Sequence, residues 1–307
     1  MKTALVFTVL IAYLIQAGWA NEACSASSKP DFRAPGRRIS EEKCREYNWE
    51  RKCSSAQDVD VNEHPYLGAI AYRKEDGDVI FACAATLISP KFAVTTGHCS
   101  RNIRIGGSLT PEFVRFGNKN LKAEAVIDAK IVNKISYPQS ENEREVILRK
   151  NDIGLLQFEN ALPLNKAVTP ACLWSQEIGS DVTKVSAWGT TGGNKLPDVL
   201  RTMEVQIMDS ESCKKAAIPY FNRKFPKLED QHLCVNDSSD PKEYFSKGSS
   251  GAPIVISAPV AEGEDMSYIK AFATFGTRYR TGAITFYTKI PNYIDWIEQQ
   301  VWGTTPL

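Results

Sequence analysis

From residue 58 onward, short runs rich in Val, Ile, Phe, Tyr and Thr follow one another, each closed by Gly, Pro, Asn or Asp. The runs cover residues 66–72, 79–88, 92–96, 126–132, 153–158, 183–188, 203–207, 252–258, 268–275 and 284–290. Side chains that branch at Cβ or carry rings suit a pleated, half-buried surface, and the closing residues favour turns. In Met203-Glu204-Val205-Gln206-Ile207 apolar and polar residues alternate, as a strand with one buried face requires. No helical pattern separates the runs, so parallel βαβ units are excluded and an all-β barrel or sandwich is expected. One helix is predicted at the end. Pro291 opens it, and Tyr293, Ile294, Ile297 and Val301 share a face opposite Asp295, Glu298 and Gln299.

The N-terminus sets the compartment. Met1-Lys2, an apolar run over residues 4–15 and Ala17-Gly18-Trp19-Ala20 have the layout of a secretory signal peptide. The run is too short to cross ~30 Å of hydrocarbon as a helix, and no later segment is long and apolar enough to span. A secreted chain places its eight cysteines in an oxidising compartment, where an even number reads as a disulfide framework. Residues 21–57 hold Cys24, Cys44 and Cys53 but little apolar material, so they read as a disulfide-tethered prosegment or linker. Within it, a short helix over residues 41–49 is predicted, with Ser40 as N-cap. Residues 58–307 form the main domain. Hydrophobic residues make up 43% of the chain and charged ones 24%, enough apolar material for a core. Lys+Arg is 37 against 36 for Asp+Glu, a balance that offers no case for nucleic acid or an anionic membrane as partner. The basic residues Lys214, Lys215, Arg223, Lys224 and Lys227 would at most bind a polyanion weakly, and read more simply as a solvated face. The charged run 141–150 reads as a surface loop.

Chemistry needs rarer residues. Of the three histidines, His64 and His232 stand alone and read as structural. No pair has HExxH or comparable spacing, so neither a metal nor another cofactor is expected. His98 lies in the tract Thr95-Thr96-Gly97-His98-Cys99. Asp152 precedes an apolar strand in Asn151-Asp152-Ile153-Gly154-Leu155-Leu156. Ser250 lies in the small-residue turn Gly248-Ser249-Ser250-Gly251-Ala252-Pro253. A serine hydroxyl is a weak nucleophile at neutral pH until a neighbouring base takes its proton.

In this order and context the three tracts resemble the chymotrypsin-like (trypsin-fold) serine proteases over residues 58–302. Thr95–Cys99 is similar to the family's T-A-A-H-C, residues 152–156 to D-I-A-L-L, and residues 248–253 to G-D-S-G-G-P. Ser186-Ala187-Trp188-Gly189 and the ending Tyr287-Thr288-Lys289-Ile290…Tyr293-Ile294-Asp295-Trp296-Ile297 match as well. The tract Gly36-Arg37-Arg38-Ile39-Ser40-Glu41-Glu42-Lys43-Cys44-Arg45-Glu46-Tyr47 resembles the segment before the catalytic domain of insect snake-like secreted serine proteases. The resemblance implies an all-β fold of two six-stranded antiparallel barrels with a C-terminal helix. It implies a triad of His98, Asp152 and Ser250, with the amides of Gly248 and Ser250 as oxyanion donors, and peptide-bond hydrolysis of extracellular proteins. It pairs Cys83 with Cys99 and Cys213 with Cys234, and makes Cys172 the tether to Cys53 or Cys44.

Four places depart from the pattern: the residue before the serine, the start of the domain, the specificity pocket and the residue two after the serine. Ser249 stands where the family has the Asp that pairs with a new N-terminal ammonium after activation. The matching Ile-Val-Gly-Gly start reads Cys53-Ser54-Ser55-Ala56. In the specificity pocket (Tyr244, Thr274, Gly276 and Thr285) Tyr244 replaces the acid of trypsin-like members, and Thr285 replaces a glycine. Ser246 replaces a cysteine whose partner is also missing. Ala252 replaces a glycine. Two functions therefore stand: a serine endopeptidase without trypsin-like specificity, or a non-catalytic homologue that binds an extracellular protein. The complete triad favours the first. The protein is expected to be a monomer, and Asn236-Asp237-Ser238 is an N-glycosylation sequon.

Overall fold

The computed structural model describes residues 29–54, 63–104, 108–138, 151–179, 182–189, 197–218, 228, 230–236, 248–259, 265–279 and 282–303. The predicted signal peptide, Cys24, the charged run 141–150, Arg223, Lys224, Lys227, Tyr244 and Ser246 lie outside them, as do Asp237 and Ser238 of the sequon. Asn236 is described and exposed.

Two barrels organise the chain. In the first, β1 (Leu67–Arg73), β2 (Val79–Ser89), β3 (Phe92–Thr95), β6 (Pro111–Phe116), β7 (Ile127–Ser136) and β8 (Gly154–Phe158) close in the order β1-β2-β3-β8-β7-β6. A small hairpin, β4 (Ile103–Arg104) with β5 (Ser108–Leu109), lies beside it. In the second, β10 (Val182–Ala187), β11 (Arg201–Ile207), β12 (His232–Asn236), β15 (Gly282–Lys289), β14 (Asp265–Tyr279) and β13 (Pro253–Pro259) run in sequence, and a β13–β14 pairing closes the ring. The two-residue β9 (Cys172–Leu173) adds in parallel to β14. All ring pairings are antiparallel. This is the architecture the resemblance implied.

Burial explains the sequence texture. β2 is apolar almost throughout because both its faces are covered: Ala85 and Leu87 point into the first barrel, Ala84 and Ile88 into the seam between barrels. In β11 Val205 and Ile207 are buried in a core and Met203 packs against it, while Glu204 and Gln206 between them are exposed, which gives the alternation. The first barrel packs Ile70, Val114, Leu156 and Phe158, with Phe116 edge-on to Phe158 at 5.8 Å. The seam joins Leu67, Ile153 and Leu155 to Trp188, Phe272 and Ile297, so the two barrels share one continuous apolar contact. Each such side chain, fully buried, contributes roughly 1.5–3 kcal/mol.

Among the described residues there are four α-helices, two of them in the places predicted. α1 (Ile39–Cys53) lies in the expected prosegment, α2 (Gly97–Ser100) is one turn, α3 (Ser210–Ala217) was not foreseen, and α4 (Ile294–Trp302) closes the chain. α3 is capped by Asp209, whose carboxylate accepts from the amides of Glu211 and Ser212. Two details correct the sequence reading. Ser40 is not the N-cap of α1; Arg38 holds that position, and Ser40 is buried inside the first turn. Glu298 is not on a solvent face but only 3% exposed. Both corrections have one cause. The Ser40 amide (3.2 Å) and hydroxyl (2.6 Å) donate to Glu298, as do Nε (3.1 Å) and Nη2 (2.9 Å) of Arg38. Arg38 also reaches Asp295. Trp302 Nε1 donates to Tyr47 OH at 3.1 Å, and the disulfide Cys44–Cys172 pins the middle of α1 beside β9. Thus α1 is clamped to α4 and to the second barrel.

Candidate active site

Thr96 follows β3 in an extended conformation and caps α2, its hydroxyl accepting from the Cys99 amide at 3.2 Å. The cap turns the chain so that His98 leaves the strand end. The disulfide Cys83–Cys99 ties this turn to β2, and Tyr72 OH donates to the Cys99 carbonyl at 2.9 Å. The imidazole keeps 27% of its side chain exposed while the facing Asp152 carboxylate keeps 4%.

Asp152 meets His98 twice. Its Oδ1 accepts the His98 backbone N–H at 2.8 Å, and its Oδ2 lies 2.8 Å from Nδ1. An ionised carboxylate only accepts, so the proton on the second contact sits on Nδ1, and in the neutral ring the acceptor is Nε2. A buried carboxylate bonded in this way fixes both the ring's orientation and its tautomer.

Ser250 stands half-buried in the turn before β13. Its carbonyl accepts the Ala84 amide at 2.8 Å, and Gly251 N donates to the Ala273 carbonyl at 2.7 Å, so the turn is stitched to both barrels. Gly251 has φ +86°, and a Cβ there would sit 2.0 Å from the Ala84 carbonyl oxygen and 2.7 Å from Thr95 Oγ1. Only glycine fits. Gly248, on the other side of the serine, has φ +91°. Ala252 is outside the left-handed region and fully buried, so replacing a glycine there carries no backbone strain. Among the described residues no hydrogen bond joins the Ser250 hydroxyl to His98; such bonds are often long before substrate arrives. Ser249 is 8% exposed, and its carbonyl accepts the Ala252 amide at 2.9 Å.

Of the expected pocket residues, Thr274, Gly276 and Thr285 come together where β14 and β15 pair. Thr285 lies directly opposite Gly276, and its Oγ1 is 3.2 Å from where a Gly276 Cβ would stand. Thr285 is itself buried, while Gly276 opposite it is exposed. Thr274 is 1% exposed and donates to the Phe286 carbonyl at 2.8 Å. Between them Phe275 stacks on Phe286, ring centroids 4.6 Å apart.

Other readings resolve locally. The donor atoms of Cys83, His98 and Cys99 lie within 4.8 Å of one another, but both sulfurs are bonded to each other and offer no thiolate. Cys213 and Cys234 are bonded, Cys172 takes Cys44, and Cys53 is also in a disulfide, with its partner outside the described residues. His64 bridges Tyr66 OH (3.1 Å) and Ser186 Oγ (3.0 Å); burial disfavours its charged form despite nearby Glu63. His232 is buried, with Phe275 edge-on at 6.2 Å.

One feature escaped sequence reasoning. Asn151 is, among the described residues, the non-glycine with positive φ, at 54°, and its Oδ1 accepts from Tyr293 OH at 2.9 Å. The available signal was the residue type, since Asn tolerates that conformation better than most.

A family model described as Trypsin matches residues 54–297. The match begins at Ser54, the C-cap of α1, in the tract where the Ile-Val-Gly-Gly start is missing. Phenoloxidase-activating factor 3 of Holotrichia diomphalia is 24% identical over 269 residues, 81% of this chain and 72% of that protein. Serine protease snk of Drosophila melanogaster is 25% identical over 246 residues, covering 76% of this chain and 53% of its own length. Serine protease Hayan of Drosophila melanogaster is 24% identical over 254 residues, 80% of this chain and 38% of that protein. The chain thus spans about half or less of the last two relatives. With two closed barrels, a C-terminal helix and a family match covering most of its length, the chain belongs to the trypsin-like (chymotrypsin-like) serine protease family.

Proposed function

We propose that the protein is a secreted serine endopeptidase that cleaves extracellular proteins with Ser250 as nucleophile, His98 as base and Asp152 as the orienting carboxylate. The observation that carries this reading is the pair of hydrogen bonds from His98 to Asp152, one from its backbone N–H and one at Nδ1; in the neutral ring Nε2 would then be able to accept a proton. Ser250 would pass its proton to Nε2 while its Oγ attacks the scissile carbonyl, and the imidazolium would then protonate the leaving amine. The amides of Gly248 and Ser250 would take the oxyanion, each donor worth about 3–4 kcal/mol. No cofactor enters the scheme. The relatives named as proteases, and one named for activating phenoloxidase, support a polypeptide as substrate class. Secretion rests on the first twenty residues; no described helix is long and apolar enough to cross a membrane.

Specificity would follow from Thr285, which stands directly across from Gly276 with its hydroxyl 3.2 Å from where a Cβ there would lie. Thr285 narrows the pocket, and its described walls offer no carboxylate to a basic side chain. Small or apolar residues before the scissile bond are expected, with Arg and Lys poorly turned over. A peptide library presented to the full chain, with Ser250→Ala as control, tests this; a profile led by Arg, abolished in the control, would overturn it.

A second reading has its own observation. Ser249 is a neutral, buried residue where the family's activation carboxylate stands, so a new N-terminal ammonium would find no counter-charge there. A chain whose oxyanion turn is never set would act as an extracellular binding protein on the same scaffold. Absence of any Ser250-dependent turnover in the folded protein would select this reading.

A further inference from the structure

Asp152 can orient His98 only if its own backbone is held, and the backbone there is unusual. Asn151 adopts φ 54°, a conformation that costs an L-residue about 1–2 kcal/mol. The reversal lets the Ile153 amide donate to the Asn151 carbonyl at 2.8 Å. It sends Ile153 into the seam between barrels and the Asp152 carboxylate to His98. Something must keep this turn in place. The Asn151 amide oxygen accepts from Tyr293 OH at 2.9 Å, across 142 residues of chain. Tyr293 closes the 3-10 turn Pro291–Tyr293 that leads into α4 and is 3% exposed. Its ring packs edge-on against Tyr137 with centroids 5.1 Å apart, and the Tyr137 amide donates to the Ile153 carbonyl at 3.1 Å. The Asn151–Ile153 turn is therefore gripped on both sides by the same aromatic pair.

We infer that the Tyr293 hydroxyl, acting through Asn151, is a positioning group for the Asp152 carboxylate, so that the C-terminal turn sets the geometry of the His98–Asp152 bond. The inference rests on the proposed triad for its kinetic consequence but not for its structural one.

Two variants separate the hydroxyl from packing and from backbone strain. Tyr293→Phe keeps the ring and removes the donor. Asn151→Gly keeps the left-handed φ and removes the acceptor. Both are made in the full chain, and the melting transition of each is recorded. The first readout is the NMR signal of the His98 Nδ1 proton and its exchange with water, which needs no reactivity of Ser250. The second is the rate at which a fluorophosphonate probe labels Ser250. Each variant is expected to speed Nδ1 proton exchange about tenfold and to slow labelling about tenfold. The double variant should be no worse than the worse single, because both break one link. If Tyr293→Phe does not fold, Asn151→Gly decides alone. A folded variant with unchanged proton exchange overturns the positioning role. A wild type that shows the bonded proton but takes no label overturns the proposed catalysis and leaves the positioning test standing.

Discussion

Gly251 carries a constraint that no other residue can meet. Its φ of +86° is unfavourable to any side chain, and a Cβ would overlap the Ala84 carbonyl oxygen at 2.0 Å. Gly251→Ala is expected to lose roughly 3 kcal/mol of stability, from left-handed strain plus displacement of β2 backbone. Denaturant unfolding measures it, and a loss below about 1 kcal/mol would mean the turn relaxes freely. His98, Asp152 and Ser250 stood out in the sequence because each lies in its own short context. Asn151 did not, since its side-chain partner, the Tyr293 hydroxyl, lies 142 residues away in the C-terminal turn.

Among the elements, α1 depends most on distant partners. Its Cα trace starts where Arg38 and Ser40 converge on the buried Glu298, and its middle is fixed by Cys44–Cys172. The Arg38 carbonyl also accepts the Glu41 and Glu42 amides, both at 3.1 Å, so the Arg38–Ile39 bond is held inside a helix start. A protease with basic specificity needs that arginine free and that backbone extended. Glu298→Gln removes the charge that holds Arg38 and is expected to raise trypsin cutting after Arg38 at least tenfold in the folded protein, as seen by mass mapping. Equal rates in wild type and variant would mean the latch does not protect the bond. The strands of both barrels were largely legible because burial on one face or two leaves an alternating or continuous apolar record. β6 was missed because Glu112 and Arg115 interrupt its apolar residues, and Arg115 is held by the Leu121 carbonyl and Asp128. The place of Glu298 was illegible for a related reason: a helix wheel assigns an acid to solvent unless the basic partner, here 260 residues away, is known.

For the whole molecule, family membership fixes the barrels and the chain's own geometry supplies the bonded His98–Asp152 pair; catalysis is the step that unites them. Removal of a positioned base lowers rates by about 10²–10⁴-fold in related chemistry. The direct measurement is covalent labelling of the full-length, disulfide-intact protein by a fluorophosphonate, with the modified peptide located by mass spectrometry. The account predicts a single adduct on Ser250, lost in Ser250→Ala and slowed at least a hundredfold in His98→Gln. A folded wild type that takes no label on Ser250, or labels equally fast without His98, would contradict it.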